Sequence, residues 1–308
     1  MVTDPAIGFK HAFVTGATGI VGVPLCRALV HAGVSVTAFS RNLVSGVLPE
    51  EVVHVKGSIL DRDALAKAAE GADVVFHVAA AVHGSASTYS DFERTNVTGT
   101  QNVIEVARQS GANLVHVSTV NVDGYRSGAL RDVYAETKSI AEELVIAAVD
   151  GGLTALIVRP ATVFGNEAGR GGLLVDRLLV GSLRVLPAPS RRISPVWAGD
   201  LAKALILAAA GDHSGRVFTV AGPVLSTGEF VKSVEAAIGT RGVMFSIPAW
   251  TFAVPLQLAW WLRKLTRWTP PVSVESLKNG SVHDGAEAAS ELGFHYTDVN
   301  DIFGVSTD

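Results

Sequence analysis

Two side chains of a predicted helix, Tyr134 and Lys138, could together move a proton. Their four-residue spacing places a phenol and an ammonium on the same face of a helix. A free tyrosine has a pKa of about 10 and is a poor acid or base at neutral pH, but a nearby ammonium favours the phenolate. We therefore expect Lys138 to lower the pKa of Tyr134, which suits proton exchange with a carbonyl or an alcohol. Such a pair alone is commonplace and usually structural, so its meaning depends on its surroundings.

Those surroundings include hydroxyl groups at the end of a strand predicted at residues 113–118. Ligands bind at the carboxyl ends of parallel strands, so Thr119 could donate to a substrate oxygen and polarise it. A hydroxyl that only caps the strand is the alternative, more strongly so for Ser118. His116 and His77 lie inside predicted strands, and we expect both to be core residues. No cluster of His, Asp or Glu has metal-ligand spacing in the sequence, so we predict no metal site.

Three glycines, Gly16, Gly19 and Gly22, lie between a strand predicted at residues 11–15 and the body of a helix predicted at residues 20–31. The first permits a tight turn, the second lets the backbone approach a pyrophosphate, and the third lets the helix pack closely on the sheet. The N–H groups and the positive end of the helix would then face the anion. The spacing differs from the G-x-G-x-x-G fingerprint, and glycines also serve plain turns. Their place between a strand and a helix predicts a dinucleotide cofactor.

The end of the second predicted strand, residues 34–39, indicates which dinucleotide binds. An acidic residue there would bind the adenosine ribose 2′-hydroxyl of NAD(H) and repel a 2′-phosphate. This chain has Ser40 and Arg41 instead. Arg41 can pair with a phosphate and Ser40 can donate a hydrogen bond to it, so we predict NADP(H), with NAD(H) less favoured. A solvated arginine at a strand end is the alternative.

Strands and helices alternate along the first half of the chain. Further helices are predicted at residues 61–70, 89–110 and 132–149, and further strands at residues 73–78, 113–118 and 153–158. Alternation with short, glycine-marked joints predicts an α/β fold with a doubly wound parallel sheet, covered by helices on both faces. We assign residues 1–165, with 196–222 returning, to a dinucleotide-binding domain. Residues 166–195 and 223–308 are assigned to a smaller, mostly helical C-terminal substrate domain.

The composition is that of a compact enzyme. Hydrophobic residues make up 48% and charged residues 18% of the 308 residues, which excludes a disordered chain. The net charge of −4 gives no reason to expect nucleic acid as a partner. The single cysteine, Cys26, excludes an internal disulfide and is expected in the core. The first ten residues lack an apolar stretch, so we expect a cytoplasmic protein.

One segment, residues 246–268, complicates that expectation. Residues 242–262 carry no charge, two prolines interrupt them, and three basic residues follow. A cover for the substrate pocket or a subunit contact is the first interpretation. Peripheral contact with a membrane surface is the alternative, because aromatic and basic residues suit the interface. A membrane span is not expected, since the prolines break the segment.

Taken together, the motifs resemble those of the extended short-chain dehydrogenase/reductase family. They follow one another as Thr15-Gly-Ala-Thr-Gly-Ile-Val-Gly22, His77-Val-Ala-Ala80, Asn96-Val-Thr-Gly-Thr100, Ser118-Thr119, Tyr134 with Lys138, and Arg159-Pro-Ala-Thr-Val-Phe-Gly165. The likeness covers residues 10–222, and the complete set is highly specific.

The resemblance implies a Rossmann domain with a catalytic group of Thr119, Tyr134 and Lys138, in which Lys138 also holds the nicotinamide ribose. Asn96 would be a structural and proton-relay residue, with capping or packing as the alternative. The implied cofactor site takes in Gly16, Thr18, Gly19, Ile20, Val21, Gly22, Ser40, Arg41, Ile59, Ala79, Ala80, Pro160, Thr162 and Val163. The substrate-pocket candidates, each of which could be structural only, are His83, Asn121, Tyr125, Phe164 and Trp197. Dimers of such enzymes form through a helix pair, here the helices at residues 89–110 and 132–149.

Departures from the family pattern narrow the chemistry. Thr119 is followed by Val120, not by the acidic residue of the family's dehydratases, which argues against dehydration. Gly57 is followed by Ser58, not by an adenine-binding aspartate, which weakens that contact. Arg41 argues against the nucleotide-sugar epimerases, which usually have an acidic residue there.

The chain therefore looks most like the 3β-hydroxysteroid dehydrogenase and dihydroflavonol-reductase branches. This likeness predicts an NADP(H)-dependent oxidoreductase that exchanges hydride with a bulky, apolar ketone or secondary alcohol. A nucleotide-sugar epimerase is one alternative. A sensor protein that binds NADP without catalysis is another, against which the intact Tyr134 and Lys138 pair argues.

Overall fold

The computed structural model describes residues 7–86, 88–166, 172–239, 242–243, 245–248, 251 and 282–303. The chain divides into two compact units. The first comprises Met1–Pro160, Ala198–Val220 and Ala286–His295, and the second comprises Ala161–Trp197, Ala221–Gly285 and Tyr296–Asp308.

The strands of the described residues are, in chain order, β1 (His11–Thr15), β2 (Ser35–Ser40), β3 (Val53–Lys56), β4 (Val74–His77), β5 (Asn113–Val117), β6 (Ala155–Pro160), β7 (Thr162–Phe164), β8 (Val185–Pro187), β9 (Arg192–Ile193), β10 (Pro195–Trp197), β11 (Val217–Val220), β12 (Leu225–Ser226) and β13 (Phe245–Ile247). The helices are α1 (Gly22–His31), α2 (Arg62–Ala68), α3 (Tyr89–Glu93), α4 (Gly99–Ser110), α5 (Asn121–Arg126), α6 (Val133–Asp150), α7 (Gly172–Leu179), α8 (Ala198–Ala210), α9 (Thr227–Ile238), α10 (Ala286–Leu292) and α11 (Val299–Ile302). A π-helical turn, Arg94–Thr98, joins α3 to α4.

Seven strands form the parallel sheet of the first unit, in the order β11-β6-β5-β4-β1-β2-β3. The chain starts at β1 and winds outward in both directions, which is the predicted doubly wound Rossmann arrangement. Helices α2, α4 and α6 pack together on one face of the sheet, and α1 and α8 cover the other. The fold class predicted from the sequence is confirmed.

The face beneath α4 and α6 carries two layers of side chains. Its lower layer is an apolar core, to which four neighbouring strands contribute Phe13, Val75, Leu114 and Ile157. Side chains alternate between the faces of a strand, so the residue two positions further along returns to the same face. In these four strands that residue is polar. We call this row the polar belt, and its members are Thr15, His77, His116 and Arg159.

Most predicted elements of the first unit lie close to their expected bounds, and three differ. The helix predicted at residues 89–110 is interrupted by the π turn that contains Asn96. Strand β3 was not expected, because it is a short edge strand whose Val53 is exposed and so has no apolar run. Helix α5 was not expected either, because it is only six residues long and includes Gly124.

The observed division of the chain differs from the predicted one at residues 286–295, which we assigned to the C-terminal domain. Helix α10 instead packs against β11 and α8, with Ala288 and Leu292 buried. Arg216, just before β11, forms an ion pair with Glu291 (2.7 Å). This return to the first unit comes from contacts between distant parts of the chain, which no local pattern predicts.

The second unit has a hydrophobic core of its own. Helices α7, α9 and α11 pack around a buried cluster that includes Leu178, Phe230, Val234 and Ile302. The pairs β10-β7, β12-β9 and β13-β8 form three two-stranded sheets in this unit. Its predicted role in binding substrate stays a prediction.

Among the described residues, none of the helices has the length and apolar character that crossing a membrane requires. Most of the apolar segment at residues 246–268 lies outside the described residues, which include only 246–248 and 251 of it. A pocket cover, a subunit contact and a membrane surface therefore stay predictions for this segment.

Candidate active site

The side chains of Thr119 and Tyr134 are neighbours in the first unit, close enough for the Thr119 hydroxyl to lower the pKa of the phenol. Thr119 follows β5 by two residues, and Tyr134 lies in the first turn of α6. That turn is fixed by Asp132, whose carboxylate accepts a hydrogen bond from the Ala135 N–H (3.1 Å). The Asn121 N–H donates to Oγ1 of Thr119 (3.3 Å), which limits the directions left to this hydroxyl. Two hydroxyl groups thus meet at the carboxyl edge of the sheet, where a substrate oxygen could lie.

Burial raises the pKa of Tyr134 to about 12. The negative charge of Asp132 raises this pKa as well, whereas the hydrogen bond from Thr119 lowers it. The predicted lowering of the pKa by Lys138 is therefore wrong, because the Lys138 ammonium makes its hydrogen bonds to β5. At neutral pH Tyr134 is a protonated phenol, able to donate a proton to a bound oxygen atom.

Lys138 lies one turn after Tyr134 on α6 and is 1% exposed. Its Nζ donates to the carbonyl oxygen of Val117 (2.7 Å) and contacts Nε2 of His116 (3.1 Å). Burial lowers the pKa of Lys138 to about 7, although the charge of Glu142 raises it. Because that pKa lies near neutrality, small changes in surroundings decide the charge of this side chain.

His77 is buried and is held by two hydroxyl groups, as expected of a core residue. Thr100 donates its own proton to the Asn96 carbonyl oxygen (2.6 Å), so it accepts from Nε2–H of His77 (2.9 Å). Nδ1 then carries no proton and accepts from Oγ1 of Thr15 (2.8 Å). Burial lowers the pKa of His77 to about 3, so its ring is neutral. Every polar atom of this side chain is satisfied.

His116 is also a core residue, with no exposed surface, but it contacts Lys138 directly. Burial lowers its pKa well below the usual range, as do the charges of Lys138 and His77. This contact was not predicted. The available signal was a histidine inside an apolar run, whereas its pairing with His77 on the neighbouring strand is seen only in the structure.

Asn96, in the π turn, links helix α6 to the segment that follows strand β4. Its Oδ1 accepts from the Ala81 N–H (2.7 Å), and its Nδ2 donates to the Ala81 carbonyl (3.1 Å) and to Oγ1 of Thr137 (3.0 Å). Both ends of the amide are occupied, which makes Asn96 a structural clamp. Its role as a proton relay stays a prediction.

The glycine loop leaves one side open for a ligand. Gly16 has a φ of +71°, and a Cβ there would lie 2.6 Å from the Ala79 nitrogen. A Cβ on Gly22 would collide with the carbonyl oxygen of Gly16. A Cβ on Gly19 would meet a single atom, that same oxygen at 3.4 Å. The first and third glycines are therefore required by packing, whereas the second faces open space.

The N-terminus of α1 has no capping side chain and could bind an anion. Its first turn has no acidic residue. By contrast, side chains cap the N-termini of α2, α6 and α9, namely Asp61, Asp132 and Ser226. An uncapped helix end beside an open glycine loop fits the pyrophosphate of a dinucleotide.

Ser40 and Arg41, at the end of β2, were both predicted to bind a 2′-phosphate. The structure differs from this expectation at Ser40. Oγ of Ser40 donates to the Asn42 carbonyl (2.8 Å) and contacts Nε2 of His54 (2.7 Å). Because its only proton is already used, Ser40 is not the predicted donor to a 2′-phosphate. Arg41 is exposed at this end of the strand. The exposed guanidinium of Arg41 could bind a phosphate there.

The remaining predicted cofactor residues lie in several different elements. Ala79 lies against Gly16, and Ala80 follows it at the end of β4. The Ile59 side chain is buried in the core against Gly99 and its carbonyl accepts from Asn102 (2.9 Å), so this residue is not available to a ligand as predicted. Thr18, Ile20 and Val21 belong to the glycine loop, Pro160 ends β6 in the first unit, and Thr162 and Val163 lie in β7 of the second unit.

Of the substrate candidates, His83 lies beside Tyr134. Its ring centroid lies 6.2 Å from that of Tyr134, and its Nε2 pairs with Oδ1 of Asp132 (2.7 Å). Asn121 and Tyr125 lie on α5, which starts just after Thr119. In the second unit, Phe164 is a core residue packed edge-on against Phe230 (5.0 Å), which contradicts its place in a pocket, and Trp197 packs against the same core.

A buried cluster of ion pairs, missed by the sequence analysis, holds α5 to α6. Glu142 of α6 accepts from Nε and Nη2 of Arg159 (2.8 and 2.6 Å) and pairs with Arg126 of α5 (3.2 Å). Arg159 also pairs with Asp123 of α5 (2.6 Å). Since Thr119 immediately precedes α5 and Tyr134 lies on α6, this cluster supports the geometry of the reacting pair.

Within the described ranges, no three His, Cys, Asp or Glu side chains are arranged to hold a metal ion. Cys26 is buried, and burial raises the pKa of its thiol to about 12, so it is not a reactive thiolate.

Comparison with known proteins gives consistent relatives. Residues 12–221 match the NAD dependent epimerase/dehydratase family. The 2-alkyl-3-oxoalkanoate reductase of Stenotrophomonas maltophilia (strain K279a) is 30% identical over 84% of this chain and 86% of its own length. The 3 beta-hydroxysteroid dehydrogenase/Delta 5-->4-isomerase of Mycobacterium tuberculosis (strain ATCC 25618 / H37Rv) is 30% identical over 92% of this chain and 85% of its own length. The crystal structure of gox2253 has the same fold, with a TM-score of 0.81, 22% identity and 96% of each chain covered.

Proposed function

Because the chain belongs to the NAD-dependent epimerase/dehydratase family and is an NAD(P)-dependent oxidoreductase, we propose that it is an NADP(H)-dependent reductase of bulky, apolar ketones. The observation that carries the proposal is that the side chains of Thr119 and Tyr134 are neighbours at the carboxyl edge of the sheet. A carbonyl oxygen bound there would accept a hydrogen bond from each of the two hydroxyl groups. Lys138, on the next turn of the same helix, supplies the cation of the group.

In the proposed reaction, Tyr134 donates its proton to the carbonyl oxygen as the ketone becomes a secondary alcohol. Thr119 donates a hydrogen bond to the same oxygen and polarises the carbonyl. A nicotinamide held at this site would supply the hydride. Since burial raises the pKa of Tyr134 to about 12, the phenol carries its proton at neutral pH and can act as the donor in this step.

The proposed cofactor site consists of the glycine loop, the end of β2 and Lys138. The open side of Gly19 and the uncapped N-terminus of α1 would receive the pyrophosphate. Arg41 would pair with the adenosine 2′-phosphate, because the end of β2 has no acidic residue and the Ser40 proton is already used. Lys138 would donate to the nicotinamide ribose.

The proposed substrate class rests on two relatives. One is named for the reduction of an oxo group on an alkylated chain, and the other for the oxidation of a steroid hydroxyl group. Both names describe a ketone or secondary alcohol on an apolar skeleton. Candidate substrates are therefore 2-alkyl-3-oxoalkanoates and 3-oxosteroids, to be compared in one panel by the loss of NADPH absorbance.

Tyr134→Phe tests the mechanism on whichever ketone of the panel reacts. It removes the proton donor and keeps the ring, so kcat should fall by about a thousandfold, while the Kd for NADPH, from fluorescence titration, should not change. Tyr89→Phe is the matched control, because Tyr89 is exposed on α3, and it should keep full activity. Turnover by Tyr134→Phe within tenfold of the unmodified enzyme would rule out the assigned proton donor.

Arg41→Ala tests the cofactor preference. It should lower kcat/KM for NADPH by about tenfold or more, the value of one charge-assisted contact, and leave kcat/KM for NADH nearly unchanged. Arg62→Ala is the control, since Arg62 is an exposed arginine of α2. An unchanged ratio of the two cofactors in Arg41→Ala would contradict the preference for NADP(H).

A further inference from the structure

Two of the three N–H bonds of the Lys138 ammonium make hydrogen bonds to residues of β5. One donates to the Val117 carbonyl oxygen (2.7 Å) and one points at Nε2 of His116 (3.1 Å). When Lys138 is charged, its ammonium has three donors and no acceptor, so Nε2 of His116 is then the acceptor of this contact. The orientation of a tetrahedral nitrogen is fixed once two of its bonds are fixed. The direction of the third N–H bond therefore follows from the other two.

The proton of the His116 ring must then lie on Nδ1. That atom is buried and has no hydrogen-bond partner among the described residues. A buried, unpaired N–H is costly, and an apolar side chain at this position of the strand would avoid the cost. The unsatisfied Nδ1–H is therefore a disadvantage that comes with the acceptor on the other side of the ring. This cost indicates that His116 serves the contact with Lys138 rather than packing alone.

No other side chain of the described residues takes this role. The nearest ring is that of His77, 5.3 Å away on β4, but both its nitrogens are used by Thr15 and Thr100. Thr100, on α4, donates its proton to a backbone carbonyl. The charged group that acts on Lys138 from α6 is Glu142, whose carboxylate is held by two arginines.

We propose that His116 is a positioning residue for Lys138, whose acceptor nitrogen fixes the ammonium on β5 so that its third N–H is directed at the cofactor ribose. The inference rests on the role of Lys138 under the proposed function. It adds that this role depends on a neutral acceptor on β5, supplied from 22 residues away in sequence. The acceptor also favours the charged form of Lys138, because a hydrogen bond to a charged group stabilises that form.

A pair of nearly isosteric substitutions separates this role from packing. His116→Gln can present an oxygen to Lys138, whereas His116→Met has a similar volume and no comparable acceptor. His116→Met should lower kcat/KM for NADPH by about tenfold, mainly through KM. His116→Gln should restore it to within about threefold, less than the effect of one hydrogen bond. Equal kinetic constants for the two variants would overturn the proposal.

A second readout uses the protein without cofactor or substrate. The pH at which Lys138 loses its proton, read from the pH dependence of the free energy of unfolding, should fall in His116→Met and not in His116→Gln. A role in packing alone would lower the Tm of both variants without moving this pH. Because no catalysis is involved, this measurement tests the contact even if the proposed function is wrong.

The tautomers of the unmodified protein give a test that needs no substitution. In ¹⁵N-correlated spectra of the imidazole rings, His116 should carry its proton on Nδ1, whereas His77 should carry it on Nε2. A proton on Nε2 of His116 would overturn the proposal, since that atom could not accept from Lys138.

Discussion

Lys138 and Glu142 lie one turn apart on α6 and are equally buried, with 1% and 0% of their surfaces exposed. They differ in whether an opposite charge is bound directly to them. The carboxylate of Glu142 is neutralised by Arg126 and Arg159. The ammonium of Lys138 is hydrogen-bonded only to a carbonyl oxygen and a neutral ring. A buried charge with full counter-charges is a structural element, whereas one with only dipoles around it is held at a cost to the fold. This difference is what we expect if Lys138 is functional, as proposed, and Glu142 is structural.

The largest effect that would test this comparison is expected from Lys138→Met. It should reduce kcat/KM for ketone reduction by about a thousandfold, since it removes the cation of the reacting group. The free energy of unfolding at neutral pH should stay the same or rise, because a buried and unneutralised charge is removed. Denaturant unfolding and steady-state kinetics measure the two quantities. Lys67→Met, at an exposed position of α2, serves as the control.

Glu142→Gln should show the opposite pattern. It leaves two arginines facing an uncharged amide and should lower the free energy of unfolding by about 3–5 kcal/mol. Activity per folded molecule should be retained at a pH below 7, where Lys138 keeps its charge without the help of Glu142. Asp123→Asn is the matched control within the same cluster, because Asp123 is 54% exposed and its pair should contribute less than about 1 kcal/mol. If Glu142→Gln lost activity while remaining fully stable, the division between the two charges would fail.

The dependence of stability on pH tests the same comparison. The pKa of Lys138 is lowered from 10.5 to about 7 in the folded chain, so between these values the unfolded chain binds more protons. The free energy of unfolding should therefore rise with pH between about 7 and 9, by at most about 1.4 kcal/mol per pH unit, whereas above pH 9 the raised pKa values of Cys26 and Tyr134 oppose this rise. Lys138→Met should lack this rise. The buried histidines do not interfere, since their pKa values are lowered below the usual 6.5. Parallel curves for the two proteins would contradict the burial of a charged Lys138.

The same comparison shows what the sequence could and could not predict. The alternation of strands and helices, the glycine loop and the spacing of Tyr134 and Lys138 are local patterns, and they predicted the sheet and the helix that carries the reacting group. The neighbours of Lys138 are not local. Spacing on a helix tells which face a side chain occupies but not which strand lies opposite, so the pKa of Tyr134 was predicted in the wrong direction.

Nonlocal contacts also explain the other corrections. Ser40 was expected to bind a phosphate, but its proton is used by its own turn and its oxygen contacts His54, on the neighbouring strand. Ile59 and Phe164 were expected to touch ligands, but each fills a core whose shape depends on residues far along the chain. A residue type and a position in a motif cannot distinguish a side chain facing the ligand from one facing the core.

The polar belt has a consequence for how the strands find their partners. A parallel strand that shifts by two residues keeps its apolar side chains on the correct face, so apolar alternation does not exclude the error. The belt does exclude it for β4, because such a shift would separate His77 from Thr15 and Thr100 and leave its buried ring without hydrogen bonds. A row of polar side chains above an apolar layer thus acts as a marker of strand register, and the sheet that aligns the reacting groups is specified partly by its least hydrophobic residues.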